Sequence, residues 1–479
     1  MGRIKPVLVL LFFSCFFLVT VPAWAGETLR VGLGVAPAQR EVGIYRGSFE
    51  VVDIATGAVL VVAAAGTTWT VGTDPVGLGL STGAGRQLGP VAGPLLFRPV
   101  ASASEAPLFS LNGCRYRGAL RLERTAAGIL AVNLVDLEEY LYGVVGEEMT
   151  YGAPLEALKA QAVASRSYAL FRKATQAARA YDVGTDQLTQ RYVGYEAEVK
   201  SGFARVKAAV DATRGEVMYY RGQLVQAYFH ANAGGHTEDS ENVWQGAFPY
   251  LRGVPSPWDS YALERAPDPS SWPAYTYQWQ KVLTREELAA RLAGWNAART
   301  DRPQEQIPVG EVTEIRLSRL GSNGEPTKSG RVTQVLIRGR EGEREVRGET
   351  ARSLFDLRST LFDLRPDSRV CLLAAGGAAE RQEAEGLRAA HALGTSPVNP
   401  GSSTYWVMGA GGTSRELPKI FTRLEFTGRG HGHGVGMSQW GAQGMAAEGH
   451  DYRDILEYYF NQNRKDGSLV VGPYRPLGG

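Results

Sequence analysis

The pattern of the chain changes at Asp136, and that change constrains the fold more than any other feature. Up to that point the sequence is a series of short β-like runs broken by glycine, at residues 28–33, 49–54, 59–63, 116–122 and 129–134. After it, residues 136–149 and 154–177 read as two helices in succession. β-like runs return at 217–229. A mixed region to about residue 370 predicts a helix over 284–295 and strands over 314–319 and 331–338. A strand at 424–426, a glycine-rich loop at 428–436 and a helix at 451–460 follow. These readings predict an α+β fold: a mixed, β-rich main domain with a few central helices, preceded by a small β-rich accessory module.

At 479 residues the chain has room for roughly two to four domains. Residues 1–25 carry Arg3 and Lys5, an apolar run from 6 to 21 and the small-residue site Ala23-Trp24-Ala25, the three parts of a secretory signal peptide. The expected location is therefore outside the cytoplasm, in the periplasm, the cell wall or the medium. Membrane attachment would come only from an uncleaved leader. An exported protein has little call on ATP or NAD. Residues 26–104 form the expected accessory module, with a soft joint at 101–104. Residues 105–465 form the main domain, in which the Ala/Glu/Gly-rich stretch 372–400 reads as an exposed insertion or a loosely packed helix, and 466–479 a tail. Lys plus Arg is 51 and Asp plus Glu 49, so a nucleic-acid partner is not expected. Of the three cysteines, Cys15 lies in the leader; Cys114 and Cys371 form no C-x-x-C motif.

Within 136–149, Asp136 is a natural N-cap and Glu138 and Glu139 suit a first turn. Leu137, Leu141, Val144, Val145 and Glu148 fall on one stripe, with Glu148 only about 20° from Leu137 around a continuous helix. Glu147 points about 80° to the other side by the same period. Apolar surroundings make a carboxyl harder to ionise, so Glu148 is a candidate general acid. A helix-end Glu that swings out to solvent or pairs with a cation is the plainer alternative.

Ala153-Pro154 marks the start of the second helix. Leu155, Leu158 and Ala162 form a face, and Lys159 and Arg166 lie on or beside it among small residues. Two inward cations need anionic partners. Protein carboxylates, in an internal ion pair, and a substrate's oxygens both qualify.

Residues 137–149 (LEEYLYGVVGEEM) with 156–169 (EALKAQAVASRSYA), then 227–238 (AYFHANAGGHTE) through Trp244, then 428–442 (GRGHGHGVGMSQWGA), resemble the SpoIID/LytB family of stage II sporulation protein D and amidase enhancer proteins. The resemblance implies a peptidoglycan lytic transglycosylase. Such an enzyme cuts the glycan between N-acetylmuramic acid and N-acetylglucosamine and leaves a 1,6-anhydro end. It also implies that Glu148, just before Met149, is the catalytic acid. The family usually has Met-Pro where this chain has Met149-Thr150, which should alter the local turn more than the acid. A single carboxyl suits this reaction, because the sugar's own 6-hydroxyl attacks and no second carboxylate has to activate water. The competing expectation is a non-catalytic wall-binding protein that stimulates an N-acetylmuramoyl-L-alanine amidase.

His391 and His450 sit in polar contexts that read as helical. His230 and His236 flank a glycine turn, and His431 and His433 alternate with glycines. Their H-x5-H and H-x-H spacing matches no zinc motif, so no metal and no cofactor is expected. His230, His236 and His433 read instead as substrate-binding or structural. Gln439, Lys159 and Arg166 are proposed to orient substrate or Glu148. Tyr168, Trp244 and Trp440 are candidate sugar-stacking rings, with core packing the equal alternative for each. The expected partners are peptidoglycan glycan strands and a cell-wall hydrolase of the amidase kind.

Overall fold

A computed structural model describes residues 26–101, 105–185, 189–244, 246–266, 268, 270–373, 379–384, 387–391, 394–397, 401–408 and 414–475. The leader reading lies outside these residues. No helix among them is long and apolar enough to cross a membrane.

The β-like runs before Asp136 become two six-stranded antiparallel sheets. The first runs in the order Thr28–Ala36, Gly128–Asp136, Ala119–Thr125, Leu95–Pro99, Ser48–Asp53, Val59–Ala64. The second runs Cys114–Tyr116, Leu108–Leu111, Gln39–Arg46, Thr68–Thr73, Leu78–Thr82, Gln87–Val91. Alternate residues turn inward: Leu29 with Val31, Val42 with Ile44, Phe49 with Val51, and Leu120 with Leu122 are all buried in one core. The joint expected at 101–104 therefore needs correction as a module boundary. Thr28–Ala36 pairs with Gly128–Asp136, Leu95–Pro99 with Ala119–Thr125, and Gln39–Arg46 with Leu108–Leu111. Residues 26–101 thus share both sheets with residues 105–136.

Three helices follow: α1 (Leu137–Tyr142), α2 (Val145–Met149) and α3 (Leu155–Thr175). Asp136 caps α1 by accepting from the N–H groups of Glu138 and Glu139. The single helix expected over 136–149 breaks at Gly143 and Val144. A side chain at Gly143 would meet the Tyr192 ring at 2.7 Å, so the break lies where the chain passes close under Tyr192. α3 runs through the middle of the same core, with Ala157, Ala160, Ala162 and Ala164 fully buried where Phe203–Ala212, Gln439–Ala447 and Tyr452–Asn461 pack on it. Leu469–Pro473 pairs with Glu216–Tyr220, so part of the expected tail is a sheet strand.

A second core is built by the strands Gln278–Thr284, Arg423–Arg429 and Phe362–Pro366, a second three-stranded sheet (Val312–Ser318, Gln334–Gly339, Gly342–Arg347) and the helices Arg285–Ala297 and Gly348–Phe355. Thr284 and Glu287 close a capping box at the start of Arg285–Ala297, as the helix reading over 284–295 requires. Within 372–400 the described segments are strands, not helix: Arg369–Leu373 pairs with Ala379–Glu383, and Arg388–His391 with Gly394–Pro397. The stretch is Ala-rich but offers no apolar 3.6-residue stripe to pack, so helix propensity has no face to act on. His391 accordingly lies on a strand.

Candidate active site

The three sequence blocks that carry the family resemblance are separated by tens to hundreds of residues; backbone pairing joins the second to the third, and packing of the helix Gln439–Ala447 on α3 brings in the first. Phe229 and His230 run parallel to Met437 and Ser438. Asn232 and His431 exchange backbone hydrogen bonds of 3.1 and 2.8 Å. The buried Asp259 ties the two loops further, accepting from Ser438 Oγ and from the Gly235 N–H at 2.9 Å. Fully buried Arg331, which leaves the second core, donates to the Ala233 carbonyl at 2.8 Å. Gly434 has to be glycine here: its φ is +83°, and a Cβ would stand 2.5 Å from the Arg331 guanidinium carbon.

Glu148 lies on α2, half-buried. Its Oε1 accepts from the Arg191 backbone N–H at 2.7 Å, and the Gln439 side-chain amide bonds the same carboxylate. Behind it is a buried polar network on α3. Gln439 donates to Gln161 Oε1 at 3.2 Å, and Gln161 to Ser165 Oγ at 3.0 Å. Gln190 bonds the Ser165 carbonyl and accepts from Tyr140 Oη at 2.9 Å. Gln161, Ser165 and Tyr168 recur at helical spacing, so α3 presents one polar face to this network.

Burial pushes the Glu148 carboxyl above the usual carboxylate range; the Arg191 N–H and the Gln439 amide pull the other way without overcoming it. Glu147 goes in the opposite direction. Burial also works against its ionisation, but Lys200 and the Tyr151 hydroxyl, 2.8 Å away, hold it below the usual range. The Arg191 guanidinium stands 3.4 Å from Glu147 as well. One carboxyl therefore collects the cations and stays ionised, while its neighbour keeps a proton to higher pH.

Gln439 opens the helix Gln439–Ala447, beside the Glu148 carboxyl. The rings of Tyr168, Tyr228, Trp244, His433 and His230 form a continuous group, with Tyr228–Trp244 centroids 4.5 Å apart, Trp244–His433 4.8 Å and His230–His433 5.5 Å. His230 donates from Nδ1 to the Val435 carbonyl at 3.2 Å, and His433 Nδ1 accepts from the Val435 N–H at 3.1 Å. Burial holds both rings neutral, with His433 lowered to about 3. Among the described residues, no three His, Cys, Asp or Glu side chains converge as a metal cage requires.

Four candidates are placed elsewhere. Arg166 is 0 % exposed and makes a two-pronged pair with Glu138 at 2.9 and 2.7 Å, so the internal ion pair is the correct reading of its inward face. Lys159 pairs with Glu156 at 2.6 Å. Trp440 is buried against Tyr261 on the helix Gln439–Ala447. His236 holds the Thr237 carbonyl at 2.6 Å in the glycine turn. The sequence reading missed Arg191, Gln161 and Gln190. The first acts through its backbone, which carries no sequence signal, and the glutamines are legible only once α3 is known to face the carboxyl.

The α+β fold thus sets a desolvated carboxyl, Glu148, on a short helix and backs it with buried amides. The family described as Stage II sporulation protein, SpoIID, matches residues 125–220, the stretch that holds α1, α2 and α3. An uncharacterised protein of Brachyspira hyodysenteriae is 30 % identical over 354 residues, 74 % of this chain and 73 % of that protein. The Stage II sporulation protein D of Bacillus subtilis is 27 % identical over 349 residues, 69 % of this chain and 74 % of that protein. The Amidase enhancer of Bacillus subtilis is 27 % identical over 325 residues, 67 % of this chain but 39 % of its own length. The chain belongs to the SpoIID/LytB family.

Proposed function

We propose that this chain is an exported peptidoglycan lytic transglycosylase with Glu148 as its general acid and base. The observation that carries the reading is the contrast between Glu148 and Glu147. Among the described residues the half-buried Glu148 carboxyl makes no salt bridge and is held by an N–H and an amide, with the Arg191 charge acting on it only weakly, while Glu147 pairs directly with Lys200 and Arg191. A protonated Glu148 gives its proton to the oxygen between muramic acid and glucosamine as the bond to the anomeric carbon breaks. The carboxylate so formed takes the proton of the muramic 6-hydroxyl, whose oxygen closes on the same carbon. The products are a free 4-hydroxyl and a 1,6-anhydro end, and the proton count at Glu148 is restored. An ordinary glycosidase would need a second free carboxylate; Glu147, the adjacent candidate, is committed to cations.

The experiment is incubation of the protein with glycan strands freed of stem peptides, followed by mass spectrometry of the ends. Anhydro ends are expected, falling by about 10²- to 10⁴-fold in Glu148→Gln. Unchanged cleavage by that variant would remove the proposal. The similarity to a protein called an amidase enhancer favours a second reading, a wall-binding protein that stimulates an amidase. In that case peptidoglycan is released only when an N-acetylmuramoyl-L-alanine amidase is added, and Glu148→Gln stimulates as well as the parent.

A further inference from the structure

A cleft of about 1100 Å³ lies along the three-stranded sheet of the second core, and the chemistry proposed at Glu148 uses none of its lining residues. Strand register determines what meets there. Gln278 stands opposite Arg429, and Gln280, Thr427 and Asp363 form the next row. Directly opposed residues of an antiparallel sheet share a face, so these five polar side chains stand together, and all five line the cleft.

Their charges are not equivalent. Arg319, also in the lining, is occupied: it bonds Asp363 at 2.6 Å and the Phe362 carbonyl at 2.8 Å. The Arg429 side chain is exposed and, among the described residues, makes no hydrogen bond or ion pair. The cleft therefore presents one unspent guanidinium, two planar amides and a hydroxyl. Tyr275 closes one side, with Arg358 stacked 4.7 Å over its ring. Trp272, at the start of the same short helix, is 56 % exposed, and its ring meets His431 at 5.0 Å. Trp is usually well buried, so an exposed one beside a polar cleft is a contact surface in waiting.

This combination fits one kind of occupant. Amides and a hydroxyl pair with sugar hydroxyl and acetamido groups, aromatic rings cover the apolar faces of sugars, and a free guanidinium takes a carboxylate. We propose that the cleft is a second glycan-binding site, which grips an N-acetylated strand away from Glu148 and takes the lactyl carboxylate of muramic acid on Arg429. The strand Arg423–Arg429 leads straight into the glycine loop and on to Gln439, which bonds Glu148, so an occupant of the cleft bears on the segment that sets the acid. The ligand class rests on the peptidoglycan reading above.

The test uses the mature chain with Glu148→Gln, so that no strand is cut during the measurement. Binding is measured by calorimetry to two probes: peptide-free peptidoglycan strands, and a chito-oligosaccharide of equal length that lacks the lactyl carboxylate. Arg429→Gln is expected to weaken the first by about tenfold and leave the second unchanged; Trp272→Ala is expected to weaken both. If both variants bind both probes like the parent, while the Glu148 form of each still produces anhydro ends, the cleft proposal fails and the catalytic reading stands. If the Glu148→Gln chain binds neither probe and the unsubstituted chain produces no anhydro ends, both fail together.

Discussion

At Glu148 the cost of burying a charge outweighs two hydrogen bonds that favour it, and the sign of that balance has a measurable consequence. A carboxyl whose folded value lies above its unfolded one keeps its proton more tightly in the native state. It costs nothing at low pH, and as pH rises from the unfolded value through the folded one it subtracts stability. Glu148→Gln should therefore lose cleavage but melt no lower than the parent at pH 7, and the two should converge as pH is lowered towards the ordinary carboxylate range. A variant that melts well below the parent at pH 7 would mean that the carboxylate is a structural partner. Thr150, two residues on, is the other residue under tension. It ends α2 at φ +98°, where a β-branched side chain is strained and which a proline ring cannot adopt, so the turn differs from the Met-Pro form of the family. Thr150→Gly should stabilise the chain by up to about 1 kcal/mol in thermal or denaturant unfolding. A loss of stability instead would place a native contact on the threonine side chain.

Among the elements, α3 decides most. Its periodicity is legible in sequence, and so is the inward position of Arg166. What the period does not carry is the partner, because Glu138 sits on α1, a separate helix, and the Gly215 N–H completes its hydrogen bonding at 3.1 Å. Removing one member leaves the other charged and buried, so Arg166→Met should cost about 3–5 kcal/mol in denaturant unfolding. Arg166→Met combined with Glu138→Leu should recover much of that. If Arg166→Met leaves stability intact but abolishes cleavage, the pair is a substrate contact after all. The break at Gly143 is the counterpart at the scale of a turn. Angular reckoning over a continuous helix pointed to Glu148, yet the helix is not continuous. The carboxyl is inward because α2 docks between α3 and the segment that carries Arg191.

Over the whole molecule, two cores meet at the glycine loop, and the histidines there report on that junction. His431 is lowered to about 4 and His433 to about 3 by burial and by nearby arginines, and His230 lies lower than its ordinary value for the same first reason. The unfolded chain takes up protons on these rings below about pH 6.5 while the native one does not. Stability should be flat above that pH and fall on acidification, by about 1.4 kcal/mol per pH unit for each ring involved, before most carboxylates titrate. Melting temperatures between pH 7.5 and 5 check this. A curve flat to pH 5 would mean that the rings can be protonated in place.

The sequence by itself determined the change from strands to helices at Asp136, the cap there, the family and the choice of Glu148 as a candidate. Each of these is written in neighbours within a few turns of chain, where period, propensity and short hydrogen bonds operate. It set residues 26–104 apart as a module of their own, and it left open which anion meets Arg166 and which cations gather on Glu147 rather than on Glu148. Only the tertiary structure decided those, because strand partners and the exclusion of water depend on segments brought together from far along the chain, and no local pattern records which surface will close over a given side chain.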